Sequence, residues 1–194
     1  KKDYSVFFFD KKNFKKKNFI KKLDYTIIKK FYFVVIATPP KYHKKYCEIC
    51  VKANRDLIVE KPLFLNKKGW QKIILNIKKK KLICSVAYPR RYSLVHKYIK
   101  DLIYRGKIGK LKIIRSNFSQ NFRNLRKDYK KIYYSNMKES GGIVFDALSH
   151  HINLLSYYGG KIKKIIKSEM KLAYKDINVN AVSYTHLRAH ETLL

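Results

Sequence analysis

The strongest constraint on this chain is the uninterrupted apolar run Phe31–Ala37, stopped by Pro39 and Pro40. A strand buried on both faces of a parallel sheet reads this way, because neither face needs polar residues. Proline fixes φ and offers no backbone donor, so the pair ends the strand. From Lys41 to Ala53 the apolar residues Tyr42, Tyr46, Ile49, Cys50 and Ala53 return at helical spacing. Asn54 can close that helix, since Asn tolerates the left-handed conformation. Leu57–Val59 reads as a second strand, Asn66 as the cap of a helix running to about Lys79, and Leu82–Ala87 as a third strand. Strand and helix alternating at this rhythm predict βαβ units and a parallel sheet.

Before this block, Ser5–Phe9 reads as a short strand and Phe14–Tyr25 as a Lys-rich surface helix with its connection. After it the rhythm changes, and a domain boundary is expected near Tyr88–Tyr92. Leu94–Tyr104 is amphipathic and ends at Gly106. Leu111–Phe118 reads as a strand, Ser119–Tyr134 as a polar stretch, and Ala147–Tyr158 as a helix ending at Gly159-Gly160. Lys161–Lys167 and Glu169–Tyr174 resemble two antiparallel strands. The segment Val182–Thr192 reads, residue by residue, as the translation of a sequencing-library transposon adapter. It is expected to be a non-native tail (residues 182–194), so its His186 and His190 are not taken as metal ligands.

The 194 residues, 46% of them hydrophobic, can bury a core. No apolar run reaches the length of a membrane-spanning helix. The first residues lack a signal-peptide pattern, which makes the cytoplasm the default expectation. A net charge of +33 raises the possibility of nucleic-acid binding. Only 8 of the 46 basic residues are Arg, however, and the 38 Lys are spread over nearly every segment alongside Ile, Asn, Tyr and Phe. An A/T-rich genome would produce that composition without selection for binding. No nucleic-acid-binding module is recognisable, so neither a nucleic-acid nor a membrane partner is expected. Cys47-Glu48-Ile49-Cys50 has the spacing of a redox or zinc motif, but it falls in mid-helix and lacks further ligands. Two small buried helix residues are the better reading, and no metal is expected.

Two positions stand out chemically. Lys61 follows the Leu57–Val59 strand and precedes Pro62, which biases it toward an extended backbone. A ligand in such a sheet binds beyond the carboxyl ends of the strands. The competing reading is one more solvated lysine. Asp146, His150 and Asn153 stand at i, i+4 and i+7, one stripe of a helix, with Leu148, Ile152 and Leu155 forming a separate apolar stripe for the core. The competing reading makes Asp146 a helix cap and His150 a hydrogen-bonded surface histidine.

These segments resemble the glucose–fructose oxidoreductase / inositol dehydrogenase (Gfo/Idh/MocA) family. Ile36–His43 corresponds to its IATPxxxH motif, Glu60-Lys61-Pro62 to EKP, Arg91-Tyr92 to RF, Gly106–Gly109 to GxIG, and Ser140–Asn153 to GGG…DxxxHxxD. The resemblance implies an α/β fold: a partial Rossmann-type parallel sheet (1–88), then part of an α+β domain (89–181) with an open, mainly antiparallel sheet. It implies an NAD(P)-dependent oxidoreductase acting on a sugar, inositol or nucleotide-sugar hydroxyl, with NAD or NADP as cofactor and a homo-oligomeric parent protein. Lys61, Asp146 and His150 would be catalytic, His150 as general base, at an ordinary pKa of about 6.5. Ala37, Thr38, Pro39, Pro40, His43, Glu60 and Lys61 would meet the cofactor. Arg91, His151 and Asn153 would meet the substrate.

Pro89 stands where the family often has Asn, and Asn153 where it has a second Asp. Asp128–Ser135 is similar to members associated with polysaccharide or surface-sugar biosynthesis. None of the seven glycines forms the GxGxxG turn that seats pyrophosphate on a helix N-terminus. In the family that turn lies upstream of the position of Lys1, so a chain truncated at both ends is expected, with the central strand left as an edge. Two other readings remain: a non-catalytic Rossmann-type binding or regulatory protein, and a basic nucleic-acid binder. The first has no use for an acid–base set.

Overall fold

The computed structural model describes residues 5–10, 12, 15, 17–118, 140–142 and 144–164. Three parallel strands, β1 (Phe33–Ile36), β2 (Asp56–Glu60) and β3 (Cys84–Ala87), lie in the order β1-β2-β3. Val34 stands opposite Leu57, and Leu57 opposite Cys84. A short helix α1 (Tyr25–Ile28) precedes the sheet, capped by the Asp24 carboxylate, which accepts from the backbone N–H groups of Thr26 and Ile27. The crossovers are α2 (His43–Lys52), entered through a 3₁₀ turn at Pro40–Tyr42, and α3 (Trp70–Lys79). The parallel sheet and its helix crossovers are therefore as expected.

The core shows why the helices sit where they do. Ile36, Leu57 and Val59 pack against Tyr46, Cys47, Cys50 and Val51 of α2 and against Trp70 and Ile73 of α3. Leu57, Val59 and Cys50 are fully buried. Two successive βαβ units of one hand put both helices on the same face of the sheet. The other face carries Phe33 and Val35, and Val35 is 62% exposed. The expectation that this strand is buried on both faces is therefore corrected: among the described residues only one face is covered, and β1 pairs with β2 alone.

Several boundaries also move. Ser5–Phe9 forms no strand; its one ladder contact is an isolated bridge between Phe8 and Phe19. The surface helix expected over 14–25 is replaced, where described, by a turn at Asn18 (φ 65) and the start of α1. Asn66 does not cap α3. Its side chain accepts from Lys68 N at 2.9 Å in a local turn, and the helix begins after Gly69, at φ 78. Asn54 does close α2 with φ 54. Cys47 and Cys50 lie buried inside α2, where burial pushes both thiols up to about 12. They are packing residues.

In the second half, a 3₁₀ turn (Pro89–Tyr92) leads into α4 (Leu94–Tyr104), which Ser93 caps by accepting from His96 N. Residues 111–118 form no strand, and 161–164 form none either. The expected strand at Leu111–Phe118 is therefore absent, since the segment finds no ladder partner among the described residues. Ser119–Tyr134, the remainder of the expected strand pair, and the adapter-like tail lie outside the described residues. The helix read as Ala147–Tyr158 divides into a π-helical turn (Val144–Leu148) and α5 (Ser149–Gly159), ending at Gly160 with φ 84. Within α5 Leu154 is the buried apolar residue, and Ile152 and Leu155 are half-buried. Among the described residues no helix is long and apolar enough to cross a membrane, and no His/Cys/Asp/Glu group could hold a metal ion.

Candidate active site

The candidate site lies beyond the carboxyl ends of the strands, where the loops after β2 and β3 meet the π-helical turn and α5 and the loop after β1 is tied to that of β2. The β1 loop carries Ala37, exposed, then the half-buried Thr38 and Pro39, and the buried Pro40. The Thr38 hydroxyl oxygen is buried and meets no hydrogen-bond partner among the described residues. Glu60 ends β2, exposed, with its carboxylate accepting from Lys61 N at 3.2 Å. The Lys61–Pro62 peptide is cis.

Lys61 reaches across to the second half of the chain. Its Nζ forms an ion pair with the Asp146 carboxylate and donates to Asp146 O at 3.0 Å. Both side chains are largely buried, at 15% and 22% exposure. The glycines before Asp146 make this approach possible. Gly141 has φ 73, and a Cβ there would come within 2.6 Å of Phe145 and 2.8 Å of Leu65. Only glycine allows that backbone to pack under the turn.

His150 follows one turn later, half-buried, its ring edge-on to Tyr88 at 5.7 Å between centroids. Its Nδ1 is buried without a hydrogen-bond partner among the described residues. Burial first, then the charges of Lys61 and Arg90, hold the imidazole down at about 4, against the opposing pull of Asp146. Protonation would bury a charged N–H with no acceptor, which is costly. At neutral pH the ring is therefore uncharged and able to take a proton. The ordinary value near 6.5 expected from residue type gives way to this environment.

The other expected residues divide. Arg91 donates from Nε to Asn153 Oδ1 at 2.6 Å and from Nη2 to Asn153 O at 3.2 Å, and its guanidinium lies 5.3 Å from the Tyr157 ring. The two residues read as substrate ligands are thus spent largely on each other, as a strut between the 3₁₀ turn and α5. The His151 ring lies tilted against Phe118, 4.5 Å between centroids, with Nε2 at 3.2 Å from Arg90 Nη1 and Nδ1 at 3.2 Å from Ser116 Oγ. His43 is fully buried. Its Nε2 lies 2.7 Å from Thr38 O, and its Nδ1 lies 3.1 Å from Pro62 O and 3.3 Å from Leu63 O. The ring is enclosed by protein and ties the β1 loop to the β2 loop, so that its hydrogen-bond partners among the described residues are all backbone carbonyls.

Two residues escaped the sequence reading. Tyr88 is the first residue past β3, the position where ligand-facing side chains emerge in such sheets, and that signal was available. Burial raises its hydroxyl pKa, against a hydrogen bond with Ser149 and the charge of Arg91. Arg90 adjoins the Arg91 motif position but matches no pattern itself.

Comparison with known proteins gives the family. Residues 8–88 match the family model described as "Oxidoreductase family, NAD-binding Rossmann fold", and residues 96–190 match the GFO/IDH/MocA C-terminal domain. An oxidoreductase of Formosa agariphila is 27% identical over 151 residues, covering 75% of this chain and 47% of that protein. The myo-inositol 2-dehydrogenase of Thermotoga maritima is 27% identical over 128 residues, covering 66% of this chain and 36% of that enzyme. The chain thus spans less than half the length of these relatives. Among solved structures, the WlbA dehydrogenase from Bordetella pertussis, in complex with NADH and UDP-GlcNAcA, superposes with a TM-score of 0.69 at 17% identity, covering 89% of this chain and 49% of that one. Such a likeness speaks to the fold. The two family matches, which between them take in both halves of the described fold, make this chain a member of the GFO/IDH/MocA family of NAD-binding oxidoreductases.

Proposed function

We propose that the protein to which this chain belongs is an NAD(P)-dependent dehydrogenase that oxidises a CH–OH group of a sugar, inositol or nucleotide sugar. The observation that carries this reading is the Lys61–Asp146 ion pair set beside the neutral imidazole of His150. A purely structural ion pair would have no use for an adjacent proton acceptor.

The residues fit a dinucleotide beyond the strand ends. The buried Thr38 hydroxyl without a partner, the exposed Ala37 and the Glu60 carboxylate offer contacts from the β1 and β2 loops. Thr38, Pro39, Glu60 and Lys61 would line it, with Pro40 and His43 supporting from beneath. Bound nicotinamide supplies the acceptor for a hydride from the alcohol carbon. The chain's own residues handle the proton. Lys61 has three ammonium donors, of which two go to Asp146, leaving one for the reacting oxygen. That contact polarises the O–H bond and orients the alcohol. His150 takes the proton as the bond breaks. Asp146 fixes the ammonium, and its charge opposes the lowering of the His150 pKa.

The division of the chain follows the same logic. Residues 1–88 would be the partial dinucleotide-binding domain and 89–181 part of a substrate domain whose sheet is open and mainly antiparallel, with 182–194 a non-native tail. The whole protein would be a homo-oligomer working in the cytoplasm. The test is nicotinamide reduction by the full-length parent protein across inositol, hexoses and nucleotide sugars, with NAD and with NADP. Turnover that Lys61→Met and His150→Gln each nearly abolish supports the reading. Dinucleotide binding with no turnover on any polyol would favour the non-catalytic alternative.

A further inference from the structure

Among the described residues three cations, Lys61, Arg90 and Arg91, approach His150 and Tyr88, and of the two carboxylates of the site Asp146 answers Lys61 while Glu60 accepts from a backbone N–H. Arg91 is held by the neutral amide of Asn153. Arg90 is half-buried, and among the described residues no carboxylate meets it. Its guanidinium lies 6.0 Å from the Phe118 ring centre. Its Nη1 contacts His151 Nε2 at 3.2 Å.

That contact fixes the neighbour's state. A guanidinium only donates, so His151 Nε2 must accept. Nδ1 then carries the proton and can donate to Ser116 Oγ at 3.2 Å. His151 is therefore neutral in this arrangement, and burial and the Arg90 charge both lower its pKa. Arg90 keeps a full positive charge and, among the described residues, four of its five donors, in partly desolvated surroundings where an unanswered charge is unfavourable.

We propose that Arg90, seated between Phe118 and His151, receives an oxyanion carried by the substrate, so that the sugar is an acidic one: a uronate or a sugar phosphate. The planar fork of arginine suits either group in bidentate fashion. The placement is productive because Arg90 acts electrostatically on His150, lowering its proton affinity. An anion on Arg90 offsets that charge and brings the imidazole back toward the range where a general base works. The inference deepens the dehydrogenase reading and rests on it for the reaction, while the binding event stands on Arg90 alone.

The experiment follows the histidine ring resonances of the 194-residue chain at fixed ionic strength, during titration with glucuronate, glucose 6-phosphate and glucose. One or both acidic sugars should shift His150 and His151 saturably, and glucose should not; which acid responds identifies the oxyanion. Because a chain of net charge +33 attracts anions generally, Lys79→Gln on α3 serves as the control for loss of one positive charge. Arg90→Gln should weaken acidic-sugar binding by at least about tenfold, and Lys79→Gln should leave it nearly unchanged. Arg90→Lys keeps the charge without the fork and should weaken it severalfold. The buried His43 resonance reports that each variant is folded, and Arg90→Lys carries the test if Arg90→Gln is not. Equal responses to glucose and to the acids, or equal effects of the Arg90 and Lys79 variants, overturn the proposal. Acidic-sugar binding without turnover in the parent protein would remove the dehydrogenase reading and leave this one; turnover of neutral sugars independent of Arg90 would do the reverse.

Discussion

Lys61 and Asp146, 85 positions apart in the sequence, form a largely buried ion pair that joins the loop after β2 to the π-helical turn before α5. Removing one partner of such a pair strands the other charge, whereas removing both does not. Asp146→Asn in the parent enzyme should therefore lower kcat/KM by about a hundredfold or more, and Lys61→Met at least as much. The double variant should be no worse than the poorer single, since the two act as one unit. A double-mutant cycle on kcat/KM checks this. Additive losses would mean that the residues act independently.

His150 gives a pH signature. Its folded value is about 4, against an ordinary 6.5. Between these limits the unfolded chain binds a proton here that the folded chain does not. Its contribution to stability is therefore fully present above about 6.5 and is lost as the pH falls toward 4, to an extent of at most about 3 kcal/mol. Urea unfolding at pH 7 and pH 4.5 should show this component, and His150→Gln should flatten it. An unchanged pH dependence in that variant would show that the imidazole titrates normally.

The cysteines should be silent. Burial pushes Cys47 and Cys50 up to about 12 and raises Cys84 as well. The thiolate is the reactive species. A disulfide-exchange reagent at pH 8 should label Cys47 and Cys50 only at the rate of unfolding, and all three thiols at once in denaturant. Rapid labelling of either α2 cysteine in the native protein would contradict the packed-helix assignment.

The parts of this architecture that were legible in the sequence share one cause. β1, α2, β2 and β3 are specified by apolar runs and helical spacing over short windows, and Lys61 by its place between a strand end and a proline. What was not legible depends on partners distant in sequence. Residues 111–118 have strand composition, but a strand needs a ladder partner, and none meets them among the described residues. Val35 is as apolar as Val34, yet only Val34 packs against the core, because both crossover helices cover one face. At ideal α-helical spacing Asp146, His150 and Asn153 share one stripe, whereas the π-helical turn shifts Asp146 out of register with the other two. His43 was placed at the site by its motif. Whether its ring faced a ligand or the protein depended on the carbonyls of Pro62 and Leu63, about twenty positions away.

His43 supports the last prediction. A fully buried ring bridges three backbone carbonyls, those of Thr38, Pro62 and Leu63, from two loops that both lead into the site. Carbonyls only accept, so the ring donates from whichever nitrogen carries its N–H, and an apolar replacement leaves a buried acceptor without its donor. His43→Leu should cost about 2–4 kcal/mol, read as a lower urea midpoint at constant slope. Trp70, the one tryptophan of the chain, packs on Phe64 at 5.5 Å just beyond these loops and gives a local fluorescence probe of the same change. His43→Gln restores one side-chain donor group and should recover part of the loss. If His43→Leu shifts stability by less than about 0.5 kcal/mol, the range of an ordinary surface substitution, the carbonyls have other donors. The two loops are then held by the α2 core alone, through Tyr46, Cys47 and Cys50 against Ile36 and Val59.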